Sequence, residues 1–156
     1  MTRKIALAAD HAGYEEKEKL KKTLDEMGVE YDDLGTNSAE SVDYPEFARR
    51  VAEGVSSGTY DQGLLVCGSG TGMAIAANKV PGVRAAVAWN EEIARLARQH
   101  NDANVLSIGA RMHPVTDALT FVDAFLAQPF NGGERHERRI EMLAAYEADG
   151  VLPPLP

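Results

Sequence analysis

The sequence predicts an α/β protein of the Rossmann-like, doubly wound class: a five-stranded, mostly parallel sheet with helices on both faces, followed by a C-terminal helix. Short apolar runs alternate with longer segments whose apolar residues recur at helical spacing, which is typical of crossover connections between parallel strands. Ligands of such sheets bind at the carboxyl ends of the strands. We therefore expect functional residues directly after the strands.

The elements follow one another in regular alternation. The first strand is predicted at residues 4–9 and the first helix at 14–27, where Leu20, Leu24 and Met27 share one face before Gly28. A last amphipathic helix at about 134–148 precedes a Pro-rich tail at 151–156. The length fits one domain over residues 1–150. The other strands are predicted at 29–34, 63–67, 84–89 and 105–108, and the other helices at 45–55, 73–79, 91–100 and 115–126.

Composition excludes several classes of protein. The formal net charge of −8 disfavours a nucleic-acid surface, which needs a basic footprint. No apolar run approaches the roughly 20 residues that cross a bilayer, and the start lacks the apolar core of a secretory signal, so we expect a cytoplasmic protein. The single cysteine, Cys67, can form neither an internal disulfide nor a structural zinc site by itself. Any role of this cysteine is therefore chemical.

A glycine-rich loop leaves the third predicted strand and opens a helix. Its glycines permit tight turns and close approach of backbone amides to a ligand, while the helix N-terminus adds positive potential, so we interpret it as an oxyanion or phosphate cradle. A plain strand-to-helix turn is the alternative. The spacing differs from the G-x-G-x-x-G of nicotinamide-binding proteins. The loop is Cys67, Gly68, Ser69, Gly70, Thr71 and Gly72.

Cys67 stands at the mouth of this loop. A helix N-terminus favours the thiolate form of a cysteine, which can act as a base or a nucleophile. Alternatively, Cys67 is a small buried apolar residue at a strand end. A thiolate beside backbone amides suits removal of a proton next to a carbonyl, because the amides hold the developing enediolate oxygen.

Two histidines are candidates for proton transfer. His100 ends a helix on its apolar side, where it is either a core residue or, beside Asn101 near the rim of the sheet, a donor to a sugar ring oxygen. His11 follows the first strand, next to Asp10, which alternatively caps the following helix.

Three arginines are candidates for an anion site. Arg135 and Arg139 lie four residues apart in the first turns of the last helix, where the helix dipole disfavours cations. A bound phosphate would relieve that conflict, with Arg111, after the fifth strand, as a third donor. The alternative is a solvated face balanced by neighbouring glutamates.

The assembled motifs resemble the type B ribose-5-phosphate isomerase family, which also includes galactose-6-phosphate isomerase subunits. The resemblance extends from about Lys4 to Leu143. Its markers are Ala9-Asp10-His11-Ala12-Gly13, Asp43-Tyr44-Pro45, the 67–72 loop, Ala76-Ala77-Asn78-Lys79, Arg98-Gln99-His100-Asn101-Asp102, and Arg135-His136 with Arg139.

The resemblance implies an aldose-ketose isomerase of phosphosugars that uses no metal and no other cofactor, and a homodimer or dimer of dimers whose active sites are shared between subunits. It implies that Cys67 moves the proton between sugar C2 and C1, that the 67–72 amides hold the enediolate, and that His100 opens the furanose ring. By the same resemblance, Asp10, His11, Tyr44 and Asn101 orient hydroxyl groups, and Arg111, Arg135 and Arg139 hold the phosphate.

The family also has a branch that uses a glutamate directly after the glycine loop, where this chain has Met73, so the resemblance is to the cysteine branch. Ribose 5-phosphate is the expected substrate. Allose 6-phosphate, galactose 6-phosphate and erythrulose 4-phosphate are alternatives, because they share the reacting end and the extended last helix resembles another branch. A non-catalytic regulator that binds phosphosugars or nucleotides is a further alternative, since the glycine-rich loop and the three arginines suffice for binding.

Overall fold

The computed structural model describes residues 3–156, which form five strands and six helices in strict alternation until the last helix. The predicted elements are all present, and most ends agree within two residues. The strands are β1 (Lys4–Ala9), β2 (Glu30–Asp33), β3 (Gln62–Cys67), β4 (Ala85–Ala88) and β5 (Val105–Gly109); the helices are α1 (Tyr14–Glu26), α2 (Tyr44–Ser56), α3 (Thr71–Ala77), α4 (Glu91–Asn101), α5 (Val115–Ala127) and α6 (Glu134–Asp149).

The strands form one sheet in the order β2-β1-β3-β5-β4, and every pairing is parallel. Leu7 pairs with Leu64, and Leu64 in turn pairs with Leu106. This confirms the Rossmann-like class predicted from the sequence. The chain order reverses between β1 and β3, which is the switch point where such folds open a crevice for ligands.

Helices cover both faces of the sheet, because successive strand residues point to opposite sides. Ile5 and Leu7 pack with α1, α4 and α5 on one face, whereas Ala6 and Ala8 pack with α2 and α3 on the other. The three central strands are buried almost throughout. The sheet is therefore a rigid frame whose edges carry the loops.

The direction of the chain assigns different residues to the two edges of the sheet. Because all strands are parallel, their carboxyl ends meet at one edge, and each connecting helix returns the chain to the other. The loops after β1, β3 and β5 are thus neighbours. The ends of the connecting helices, including the end of α4, lie at the amino edge.

The last helix is attached loosely. Its residues, all of which the structure describes, include no buried one, and its apolar side faces a cavity of about 680 Å³ that β4 and α4 line from the other side. Glu147 accepts a hydrogen bond from the backbone N–H of Gly82 at 2.9 Å. The exposed tail at 151–156 has no regular structure. This leaves an apolar surface along α6 without a covering element of the described chain.

A buried ion pair fixes the end of β2 against α1. Lys17 is 0% exposed, and its Nζ lies 2.6 Å from a carboxylate oxygen of Asp33. Asp33 also accepts hydrogen bonds from Lys21 and from the backbone N–H of Gly35. Burial by itself raises the pKa of Asp33, but the bonds from Lys17, Gly35 and Lys21 outweigh it and hold this pKa below its usual value.

Within residues 3–156, no helix combines the length and apolar character needed to cross a bilayer.

We predict that Asp33→Asn lowers the free energy of unfolding by about 3 kcal/mol, because it leaves the buried ammonium of Lys17 with only the partly exposed carboxylate of Glu18, 3.2 Å away, as a counter-charge. Asp32→Asn is the matched control on the same strand. Its partner Lys4 is partly exposed, so the control should cost no more than about 1 kcal/mol. Urea denaturation measures both.

The difference between the wild type and Asp33→Asn should also shrink in acid. The pKa of Asp33 is lower in the folded state than in the unfolded state, so its stabilising effect is present above the unfolded value and is lost as pH falls through the folded one. Equal costs for the two substitutions, or a difference that does not change in acid, would contradict this account.

Candidate active site

Three loops expected to carry the site meet at the carboxyl edge of the sheet. Asp10 and His11 follow β1, Cys67 ends β3, and Arg111 follows β5. Since β3 lies between β1 and β5, these residues are neighbours although they are far apart in sequence. The backbone ties the loops together: Ala110 N–H donates to the carbonyl of Cys67 at 2.7 Å, and Arg111 N–H donates to that of Gly68 at 3.1 Å.

Cys67 is buried, with 4% of its surface exposed, and its neighbours in the α2–α3 layer include Ala8 and Met73. The sequence left open whether this thiol is an apolar filler or a reactive group, and its burial suits the first. The contact made by its sulfur atom suits a reactive group. The backbone N–H of Gly70 donates a hydrogen bond to Sγ at 3.0 Å, and a hydrogen bond of this kind favours negative charge on the sulfur.

The loop around Cys67 depends on Gly70. This residue has a φ of 82°, and a Cβ built on it would lie 2.9 Å from the carbonyl carbon of Ile108. The hydroxyl of buried Ser107 donates to the Gly70 carbonyl at 2.6 Å. Helix α3 begins at Thr71, two residues before the predicted start. The N–H that meets the sulfur is therefore held by backbone conformation, close packing and a side-chain bond.

The other two loop glycines are covered by site residues. A Cβ built on Gly68 would lie 3.4 Å from Nη1 of Arg111, and one built on Gly72 would lie 2.8 Å from the ring of Tyr44. Ser69 and Thr71 are exposed. The cradle is thus bordered by a guanidinium on one side and a phenol ring on the other.

Asp10 and His11 form local bonds that fix the first loop. Buried Asp10 accepts the backbone N–H of Gly13 at 3.0 Å, but Gly13 is itself the N-cap of α1, and no described side chain caps this helix. Nδ1 of His11 accepts the N–H of Val42 at 3.1 Å, which places the hydrogen of the neutral ring on Nε2. The segment before Tyr44 is therefore held against the carboxyl edge.

The structure does not bring His100 and Asn101 to this edge. They form the last turn of α4, and the carbonyl of Asn101 accepts a hydrogen bond from Arg84, which directly precedes β4. The expectation that this helix end meets the same rim as Cys67 is wrong within one chain. The cause is the direction of α4, which starts at the carboxyl edge and ends at the amino edge.

The arginines of α6 lie with His100. The ring of His136, between Arg135 and Arg139 in sequence, stacks on the ring of His100 with 4.5 Å between centroids. In the sequence, His136 stands out only as part of the Arg135-His136 motif, and no role was predicted for it. Only the contact between α4 and α6 singles it out, because no spacing pattern links residues 100 and 136.

The candidate residues therefore form two groups. The carboxyl-edge cluster offers a thiol, amides and a guanidinium, and the amino-edge cluster offers an imidazole and two guanidiniums. The first can accept a proton and hold an oxyanion, and the second can transfer a proton and hold a phosphate. The carboxyl-edge cluster is Asp10, His11, Tyr44, residues 67–72 and Arg111; the amino-edge cluster is His100, Asn101, Arg135 and Arg139.

The described residues do not form a metal site. Among residues 3–156, no three side chains of His, Cys, Asp or Glu are grouped so that they could hold a metal ion.

The model of the Ribose/Galactose Isomerase family matches residues 5–143. The chain belongs to this family. It is 44% identical over 154 residues to ribose-5-phosphate isomerase B of Mycobacterium tuberculosis (strain CDC 1551 / Oshkosh), covering 98% of this chain and 95% of that protein. The family resemblance inferred from the motifs is thereby confirmed.

Solved structures agree with this assignment. Ribose-5-phosphate isomerase B of Clostridium thermocellum has a TM-score of 0.92 at 46% identity, covering 95% of this chain and 99% of that one. The Mycoplasma genitalium enzyme with bound ribulose-5-phosphate has a TM-score of 0.91 at 41% identity, covering 96% of this chain and 99% of that one. Both solved relatives thus share the fold of this chain over nearly its full length.

We predict that Gly70→Ala lowers isomerase activity about 100-fold, because a displacement of the loop by about 1 Å moves the amide away from the sulfur. The control is Gly58→Ala. Gly58 also has a positive φ, 78°, but among described residues a Cβ there would meet nothing within 4 Å. Both variants should lose about 1–2 kcal/mol from backbone strain, and only Gly70→Ala should lose activity. Equal activity in the two variants would contradict the assigned role of the loop.

Proposed function

We propose that this protein interconverts ribose 5-phosphate and ribulose 5-phosphate by proton transfer through an enediolate. The observation that carries the proposal is the Gly70 N–H directed at the Cys67 sulfur at the carboxyl edge of the sheet. Relatives named ribose-5-phosphate isomerase B and a solved relative with bound ribulose-5-phosphate support the choice of substrate.

The reaction begins with the closed sugar. Ribose 5-phosphate is mainly a furanose, so the hydroxyl proton on C1 must leave and the ring oxygen must gain one before C1 becomes an aldehyde. An imidazole can carry out such a transfer near neutral pH. We assign this step to His100, with Asn101 orienting the sugar beside it.

Isomerisation then moves one proton along the chain. The thiolate of Cys67 takes the proton from C2, and the C–H electrons form the C1–C2 double bond while negative charge collects on the C1 oxygen. Amides of the 67–72 loop hold that oxygen. Cys67 returns a proton to C1, the hydroxyl proton on O2 passes to O1, and the product is the ketose. Asp10, His11 and Tyr44 hold hydroxyl groups of the open chain.

The phosphate is assigned to Arg111, Arg135 and Arg139. Guanidinium groups suit this task because their fixed fork of donors matches phosphate oxygens. Arg111 lies beside the cradle, whereas Arg135 and Arg139 are exposed on α6 at the amino edge. A single phosphate cannot reach both edges of one sheet.

We therefore propose a homodimer, or a dimer of dimers, in which the carboxyl-edge cluster of one subunit faces the amino-edge cluster of its partner. The apolar surface along α6 favours such an association. Leu143 and Tyr146 are about half exposed there, and Trp89 lines the same cavity. A two-fold arrangement would bury this surface twice and complete two sites at once.

We also place the protein in the cytoplasm. A lone thiol that must stay reduced to act as a base suits a compartment that keeps cysteines reduced.

We predict that Cys67→Ala lowers the turnover of ribose 5-phosphate by about 10²–10⁴-fold, the usual contribution of a positioned base. It should also abolish exchange of the C2 proton with solvent, measured by NMR in D₂O. Substrate binding, measured by calorimetry, should persist, because the residues assigned to the phosphate are unchanged.

Ser69→Ala is the control in the same loop. It removes an exposed hydroxyl whose contact in the described chain is a bond from the N–H of Thr71 at 3.3 Å, and it should keep most of the activity. Exchange retained by Cys67→Ala would disprove the assigned base. A wild-type protein that binds phosphosugars but turns over none of the pentose, hexose or tetrose phosphates would instead indicate a binding protein.

A further inference from the structure

The rings of His100 and His136 lie face to face. Their planes differ by 11°, and their centroids are 4.5 Å apart. Stacked aromatic pairs at such distances attract each other beyond the apolar area that they bury. The two rings belong to the last turn of α4 and the first turn of α6, so this contact joins the two helices at the amino edge.

Few other contacts hold this end of α6 against the rest of the described chain. Further along the helix, Ile140 and Leu143 face the large cavity, and the next polar tie is the bond from Gly82 to Glu147. Among residues 3–156, no hydrogen bond to the ring of His100 is present in the structure. The stack on His136 therefore restrains the plane of the His100 imidazole where no hydrogen bond does.

The charges around His136 favour a neutral ring. Nε of Arg135 donates to Nε2 of His136 at 3.4 Å, which requires that nitrogen to be unprotonated. Burial is the largest cause that lowers the pKa of His136 below its usual value, and the nearby His100, Arg135 and Arg139 lower it further. A neutral His136 ring can stack on the imidazole of His100 without the repulsion of two like charges.

We propose that His136 is a positioning residue that holds the His100 imidazole, by face-to-face stacking, in the orientation needed to open the furanose ring. This inference rests on the proposed function and goes beyond it, because it assigns His136 to one of its two chemical steps. His136 itself makes no contact with the reacting atoms in this account.

The two sugars allow ring opening and proton transfer to be measured separately. Ribose 5-phosphate cyclises through its C4 hydroxyl, so the enzyme must open it. Ribulose 5-phosphate cannot form a furanose, because the hydroxyl that would close the ring carries the phosphate, and it enters as an open chain. Loss of the stack should therefore slow the reaction of the aldose and spare the proton exchange of the ketose.

The test compares His136→Ala with His136→Phe, which keeps a flat ring but loses the nitrogens. We expect His136→Ala to lower kcat for ribose 5-phosphate at least about tenfold, as misplacement of a reacting group does, with KM within about twofold. Deuterium exchange at C1 of ribulose 5-phosphate in D₂O should keep its wild-type rate. His136→Phe should restore kcat to within about threefold, because stacking alone is required.

Three results would overturn the proposal. A rise in KM with both sugars in both variants would show that His136 contacts the phosphate. No change in His136→Ala would show that the stack is incidental, and equal losses of conversion and exchange would show a general defect of the site. Thermal midpoints and subunit composition of both variants, compared with the wild type, identify any misfolded sample.

A spectroscopic readout keeps the test independent of activity. The ring current of His136 should shift the imidazole protons of His100, so their NMR signals should move in His136→Ala and stay near the wild-type positions in His136→Phe. If the wild type neither isomerises nor exchanges, the proposed function fails, while these signals still report whether the stack orients His100. Unmoved signals in His136→Ala would refute the stack itself.

Discussion

The parallel direction of the strands is the constraint on which the site depends. Because every strand runs the same way, the loops after β1, β3 and β5 share one edge, and the end of α4 must lie at the other. The first consequence brings a thiol, a glycine loop and a guanidinium together. The second separates them from His100 and from the arginines of α6. One chain therefore cannot bring the two clusters together, and the proposed mechanism requires a second copy of the chain to complete each site.

At the carboxyl edge, reactivity and stability make opposite demands on one sulfur atom. Cys67 is buried in an apolar layer, and burial disfavours a charged thiolate. The Gly70 N–H opposes this effect at 3.0 Å, and Gly70 holds that position only through a backbone conformation that favours glycine. Arg111 lies over the same loop and adds positive charge nearby. In the proposed mechanism, the loop supplies in advance the polar groups that water would otherwise supply to a thiolate and to an enediolate oxygen.

The sequence predicted the elements well, because their periodicity is local. The strand ends at Ala9 and Cys67 and the loops that follow them could be located from apolar runs and glycines alone. The side of the molecule on which His100 lies could not be located in this way, because it depends on the direction in which α4 crosses the sheet. The start of α3 at Thr71 was missed since glycine next to it argues against a helix, while the structure uses Gly70 as the cap. The His100–His136 stack and the Lys17–Asp33 pair join residues distant in sequence, and no spacing rule indicates such contacts.

The most direct test of the shared site is complementation between two inactive subunits. Cys67→Ala disables the carboxyl-edge cluster and Arg139→Ala disables the amino-edge cluster, so co-expression with distinct purification tags yields mixed dimers that carry one disrupted and one intact site. If each site combines clusters from both subunits, a randomly mixed sample should regain about one quarter of the wild-type activity. Half of its dimers are mixed, and half of the sites in a mixed dimer are intact. If each chain forms its own site, every site in the mixture keeps one defect, and activity no higher than that of the two parents would contradict the account.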